Sequence, residues 1–111
     1  MKYYIAGPMT GYPEFNKPAF MKAEKYVREE LWYLKVDVFN PAVEQEEQSL
    51  DGLTGDEPLD PEQLKRIVKK DLDGLQGCTH AYMLKGWERS VGARAEHAVA
   101  VWLGLTIEYE A

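Results

Sequence analysis

The chain has 111 residues, enough for one domain around one core, and its 45% apolar content is that of a globular protein rather than a disordered one. A net charge of −6 argues against a nucleic-acid polymer as partner, because phosphate contacts need a clustered basic face. No apolar run approaches membrane length and no basic start introduces a signal peptide, so neither a membrane nor secretion is expected.

"KYYIAG" (2–7) is rich in β-formers and ends on glycine, which predicts a strand feeding a tight turn. Alternation along it sends Tyr3 and Tyr4 to opposite faces. "GPMTGYPEFN" (7–16) holds two glycines and two prolines and reads as loop. From Lys17 a helix is expected, with Phe20, Ala23, Val27, Leu31 and Leu34 as its apolar stripe. "VDVFNPA" (36–42) is a second strand that Pro41 ends.

Residues 43–62 carry eight acids and no Lys or Arg, broken by glycines and prolines. They read as a solvated loop or a lid. "DPEQLKRIVKKDLDGLQG" (60–77) is a second helix, with Asp60 as N-cap, Pro61 in the first turn and Gly77 closing it. "THAYML" (79–84) is a third strand, "KGWERS" (85–90) a loop, "SVGARAEHAVAVWLGL" (90–105) a third helix and "LTIEYE" (105–110) a last strand. Its inward stripe is read as Ala95, Ala98, Val99 and Trp102.

Strands alternating with helices imply a parallel sheet with right-handed crossovers and helices on both faces. Ligands in such sheets sit beyond the carboxyl ends of the strands. Those ends are the loops 7–16, 40–60 and 85–92.

Two carboxylates are out of place. Asp71 falls on the apolar face formed by positions 64, 67, 71 and 75, where it needs a partner or a function. Glu96 lies about a turn into the third helix among small residues, where it either complements the helix dipole or works on a ligand. "SVG" (90–92) offers a hydroxyl and free N–H groups to an anion, although Ser90 is also an ordinary N-cap. Arg94 in the same turn pairs with a phosphate or is simply solvated. Trp87, on the loop after the third strand, stacks on a nucleobase or packs on Met83. Cys78 is alone, which suits a reducing cytoplasm, and with only His80 and His97 beside it no metal site is expected.

The pieces "YIAGPMTGYPEFNKPAF", "VFNPA", "DLDGLQGCTHAYMLKGWERSVGARAEHA" and "WLGL" together resemble the nucleoside 2-deoxyribosyltransferase superfamily over nearly the whole chain. The branch they most resemble is a small one common in phages and prophages, related to 2'-deoxynucleoside 5'-monophosphate N-glycosidases. The resemblance implies an α/β fold: a flavodoxin-like or Rossmann-like three-layer sandwich with a mostly parallel sheet of four to five strands, all within one domain spanning 1–111. It implies N-glycosidic cleavage or base exchange on a nucleoside or nucleoside monophosphate. Glu96 matches the nucleophile, Asp71 the group that assists the leaving base or orients the sugar, and Tyr4 the first-strand tyrosine beside them. Ser90 and Gly92 match the phosphate-binding turn, with Arg94 beside them. Gly7, Asn16 and Trp87 are further substrate-binding candidates, Asn16 and Trp87 at the base end. The glycosidase relatives carry serine and arginine where this chain has Pro8 and Thr10, and often an aspartate where it has Thr79. No cofactor is implied, and a homodimer or larger homo-oligomer is. The competing readings are a non-catalytic nucleotide-binding protein and, behind it, an NAD glycohydrolase.

Overall fold

The computed structural model describes residues 1–43 and 60–111. The acidic stretch expected as a loop or lid falls mostly outside the described residues. At its far end Asp60 forms a reciprocal capping box with Gln63, fixing the start of a helix that Pro61 opens.

Four strands form one all-parallel sheet. They are β1 (Lys2–Ala6), β2 (Asp37–Phe39), β3 (His80–Met83) and β4 (Thr106–Tyr109), in spatial order β2-β1-β3-β4. The helices are α1 (Lys17–Glu30), α2 (Pro61–Gln76) and α3 (Val91–Leu103). After β1 the chain steps to one side of it for β2, then returns to the other side for β3. The crevice between the carboxyl ends of β1 and β3 is therefore a topological switch point, where ligands of open parallel sheets bind.

The period of two along β1 sorts the core into two layers. Tyr3 and Ile5 join Tyr82 and Leu84 under α1, whose Phe20, Ala23 and Val27 are buried against them. Tyr4 and Ala6 join Ala81 and Met83 on the opposite face, under Leu75 of α2 and Ala100 of α3. This is the expected α/β architecture with helices on both faces.

Several expected details move. β2 is shorter than expected: Pro41 already lies in a helical turn, and the Asn40 side chain accepts from the Ala42 N–H at 3.0 Å. Leu34 lies beyond the end of α1 and is exposed. On α2, Leu64 and Val68 are exposed while Ile67, Asp71 and Leu75 are buried. The largest correction concerns α3. Ala95, Ala98 and Trp102 face solvent, and the inward side is built on Ala93 and Ala100. Ala93 and Ala100 let this helix sit close on the sheet, where the Trp102 side chain would hold it off.

Two glycines are dictated by close approach. A Cβ on Gly7 would stand 2.7 Å from Leu84 Cβ, so the backbone after β1 is pressed onto that residue. A Cβ on Gly74 would stand 2.4 Å from the Phe39 ring, so α2 is sheared flat where that ring lies.

Candidate active site

The rotation of α3 puts Glu96 on its inward face, between Ala93 and Ala100 along the helix. There it meets the middle of β1: the fully buried Tyr4 donates its hydroxyl hydrogen to Glu96 Oε2. The two residues are 92 positions apart in sequence. Phe39, the register partner of Tyr4 on β2, stacks on its ring at 5.3 Å with the planes 11° apart. Gly74 supplies the space for that ring. The Tyr4 ring is thus held by a cross-strand aromatic partner that fits where α2 has no side chain, and its hydroxyl by Glu96.

Asp71, on the buried face of α2, is only 9% exposed. Its charge acts on both members of the pair. Burial first, then the neighbouring Glu96 and Asp71 charges, hold the Tyr4 hydroxyl well above the usual phenol range. Burial also raises the Glu96 carboxyl to about 8; the Tyr4 hydrogen bond opposes that rise and the Asp71 charge adds to it. The cluster therefore holds two carboxyls and one phenol, with a proton that Glu96 gives up only at about pH 8.

The loops after β1 and β3 close over the switch point. A Cβ on Gly86 would lie 3.4 Å from an Arg89 guanidinium nitrogen, 3.5 Å from Pro8 Cγ and 3.6 Å from the Tyr12 hydroxyl. Asn16 Nδ2 donates to the Pro8 carbonyl at 2.9 Å and braces the loop. Glu14, Phe15 and Asn16 all have left-handed backbone angles, φ 55°, 53° and 61°.

The other sequence candidates are distributed as follows. Ser90 is the N-cap of α3 and its hydroxyl accepts from the Ala93 N–H at 3.2 Å. Gly92 is exposed in the first turn. Arg94 is exposed, and two residues of helix turn it about 200° away from Glu96, so the structure does not bring it to the pair. Trp87 stacks on His97 at 4.2 Å and packs on the layer that contains Met83. His97 Nε2 in turn lies 2.9 Å from the Tyr109 hydroxyl. Gly7 is committed to its contact with Leu84.

Phe39, Arg89 and the His97–Tyr109 extension of the Trp87 candidate join the site without being expected from the sequence. Phe39 looked like an ordinary strand residue, and only its register opposite Tyr4 reveals it. Arg89 is not singled out by any pattern as Arg94 is, although "WERS" puts it on the loop at the carboxyl end of β3. The Trp87–His97–Tyr109 row joins residues from three elements and had no local signal.

A cavity of about 260 Å³ lies on the other sheet face, lined by Tyr3, Tyr26, Glu30, Tyr82 and Glu108. Tyr3 there donates to Glu108 Oε2. The β-strand alternation separates this pair from Tyr4 and Glu96. Among the described residues no group of three or more His, Cys, Asp or Glu is placed to hold a metal. Among them, too, no helix is long and apolar enough to cross a membrane.

Residues 1–109 match a family model described as a domain of unknown function, DUF4406. No curated protein matches the chain. Among solved structures it is similar in fold to a 2-deoxyribosyltransferase from the psychrotolerant bacterium Bacillus psychrosaccharolyticus. The two are 22% identical with a TM-score of 0.65, over 98% of this chain and 71% of the other.

Proposed function

The chain belongs to the DUF4406 family, and on that premise we propose that it cleaves or exchanges the N-glycosidic bond of a nucleoside or nucleoside monophosphate, with Glu96 as nucleophile. The observation that carries the reading is the Tyr4–Glu96 hydrogen bond with Asp71 beside it, on a sheet of the deoxyribosyltransferase type.

In this reading Tyr4 engages Glu96 Oε2 and leaves Oε1 free to attack the anomeric carbon. The Oε1–C1′ bond forms as the C1′–N bond breaks, and the bonding pair leaves with the base nitrogen. Asp71 delivers a proton to the departing base or orients the sugar hydroxyls. The negative charge of Glu96 stabilises the oxocarbenium-like state, joined by that of Asp71 where Asp71 only orients the sugar. Water then displaces Glu96 for hydrolysis, or a second base does so for transfer. The phenol keeps its proton throughout, since it is held well above the usual range. Ser90, Gly92 and Arg89 border the sugar or phosphate end, and Asn16 and Trp87 the base end. Arg94, on the far side of α3, stays outside this assignment.

The elevated Glu96 favours one alternative. At neutral pH a carboxyl with its proton in place is a hydrogen-bond donor rather than a nucleophile, as suits a non-catalytic nucleotide-binding module.

Chromatography of free base after incubation with nucleosides, nucleoside monophosphates and NAD separates the two. Release by the wild type and none by Glu96→Ala supports the enzyme. Intact nucleotide retained by the wild type, with no base from any substrate, refutes it in favour of binding.

A further inference from the structure

On its α1 face β1 makes a second tyrosine–glutamate pair. Tyr82 of β3 stands in register with Glu108 of β4, and Tyr3 of β1 donates its hydroxyl hydrogen to that same Glu108 carboxylate. The cavity of about 260 Å³ lies where these three strands meet the last turn of α1. The buried Tyr3 and Tyr82 form its floor, and the exposed Tyr26 and Tyr33 its rim. The Tyr26 and Tyr82 rings adjoin at 5.9 Å with their planes 40° apart, two walls of one corner. Glu30, the last residue of α1, lines the hollow together with Glu108.

Among the described residues neither of these carboxylates has an ion pair, although α1 and α2 pair other acids on their surfaces. Residues 44–59 contain no Lys, Arg or His to supply one. The floor responds to the same negative field. Burial first, then the bond to Glu108 and its charge, hold the Tyr3 hydroxyl well above the usual phenol range. Burial first, then neighbouring groups that include Glu110 and Glu108, raise Tyr82. A field that resists a phenolate attracts a cation.

We propose that this hollow is a binding site for a small alkylated ammonium ion, held against the tyrosine ring faces and neutralised by Glu30 and Glu108. The walls are aromatic rather than rich in oxygen, and among the described residues no group of three or more His, Cys, Asp or Glu is placed to hold a metal. An organic cation fits such walls better than a metal ion does. Alkyl groups also matter, because a bare ammonium is strongly hydrated and keeps its water, whereas methyl groups leave theirs on contact with a ring. The volume is below the ~300–1,000 Å³ of sites that take drug-sized molecules, so the occupant is small. The hollow lies on the opposite sheet face from Tyr4 and Glu96, so it stands independently of the chemistry proposed for them.

An NMR titration of the isotope-labelled whole chain with choline chloride tests the proposal, with sodium chloride at equal ionic strength as control and circular dichroism to confirm that each variant is folded. Choline should give saturable shifts at Tyr26, Tyr82 and Glu108, with a dissociation constant of about 1 mM or tighter. Ethanolamine, which lacks the methyl groups, should bind about tenfold more weakly, and the neutral carbon isostere of choline should not saturate. Glu108→Gln should weaken choline about tenfold. Tyr26→Leu should weaken it about threefold, while Tyr26→Phe, which keeps the ring face, binds as the wild type does. Glu96→Gln should bind choline unchanged, which keeps this result apart from any on the glycosidic bond. Shifts that sodium chloride reproduces, or that never saturate, overturn the proposal. So does equal binding of choline and its neutral isostere, equal binding of choline and ethanolamine, or indifference to Glu108→Gln.

Discussion

Replacing Glu96 with Gln removes a titrating group from the inner side of α3 while keeping its size and a carbonyl for the Tyr4 hydroxyl. The folded carboxyl loses its proton near 8, against 4.5 for a free one. The folded state therefore holds that proton more tightly than the unfolded state does. The resulting stabilisation is intact below about pH 4.5, falls as pH rises, and is gone once pH has passed about 8. At ~1.4 kcal/mol per pH unit, the full swing for this half-buried group is about 3–5 kcal/mol, the upper figure holding if the carboxyl sees no water. Glu96→Gln does not titrate and escapes the loss. The variant and the wild type should match at pH 4.5, and the variant should be more stable by about 2–3 kcal/mol at pH 7 and by the full swing at pH 9. Urea unfolding at half-unit intervals between pH 4 and 9 measures the difference directly. Groups unrelated to Glu96 cancel in it, and Tyr4 remains a phenol across the window. A difference that stays flat from pH 4 to 9 would refute the argument from burial, whatever the protein does.

Tyr4→Phe removes the contact that opposes the rise of Glu96, so the Glu96 titration should move further up, read by NMR of the carboxyl carbon. If the proposed chemistry holds, the pH–rate curve rises toward pH 8 in the wild type, and its midpoint moves up with the same substitution. Gly74→Ala drives a methyl into the Phe39 ring and should cost about 2–3 kcal/mol in chemical denaturation, with loss of the Phe39–Tyr4 stack. Asp60→Ala breaks the capping box of α2 and should cost about 1 kcal/mol by the same assay, with no change in the Glu96 titration.

The sequence was most informative where a side chain reports on its own element. Lys2–Ala6, the buried stripe of α1 and the Asp60 cap all stand close to where periodicity and capping chemistry put them. Asp71 was visible because a carboxylate interrupts an apolar stripe. The rotation of α3 was not visible, because Val91, Ala93, Ala95, Ala98, Ala100 and Trp102 make the helix apolar nearly all round, so periodicity favours no side. What decides it is the partner surface: Tyr4, contributed by a strand at the other end of the chain, draws Glu96 inward. Arg94 and Arg89 illustrate the same limit: five residues apart, Arg89 reaches Gly86 in the loop after β3, while Arg94 is exposed on α3.

The loop that leads into α1 carries a different kind of information. Three successive L-residues there, Glu14, Phe15 and Asn16, have left-handed backbones, each at a cost of about 1–2 kcal/mol that only asparagine partly evades. Such a run sets the repertoire of side chains the loop accepts. Asparagine, aspartate and glycine fit at these positions, and valine or isoleucine, whose branched Cβ meets the following carbonyl, do not. The loop beside the switch point is therefore free to change its chemistry only through unbranched residues, which narrows the routes by which this scaffold acquires a new ligand.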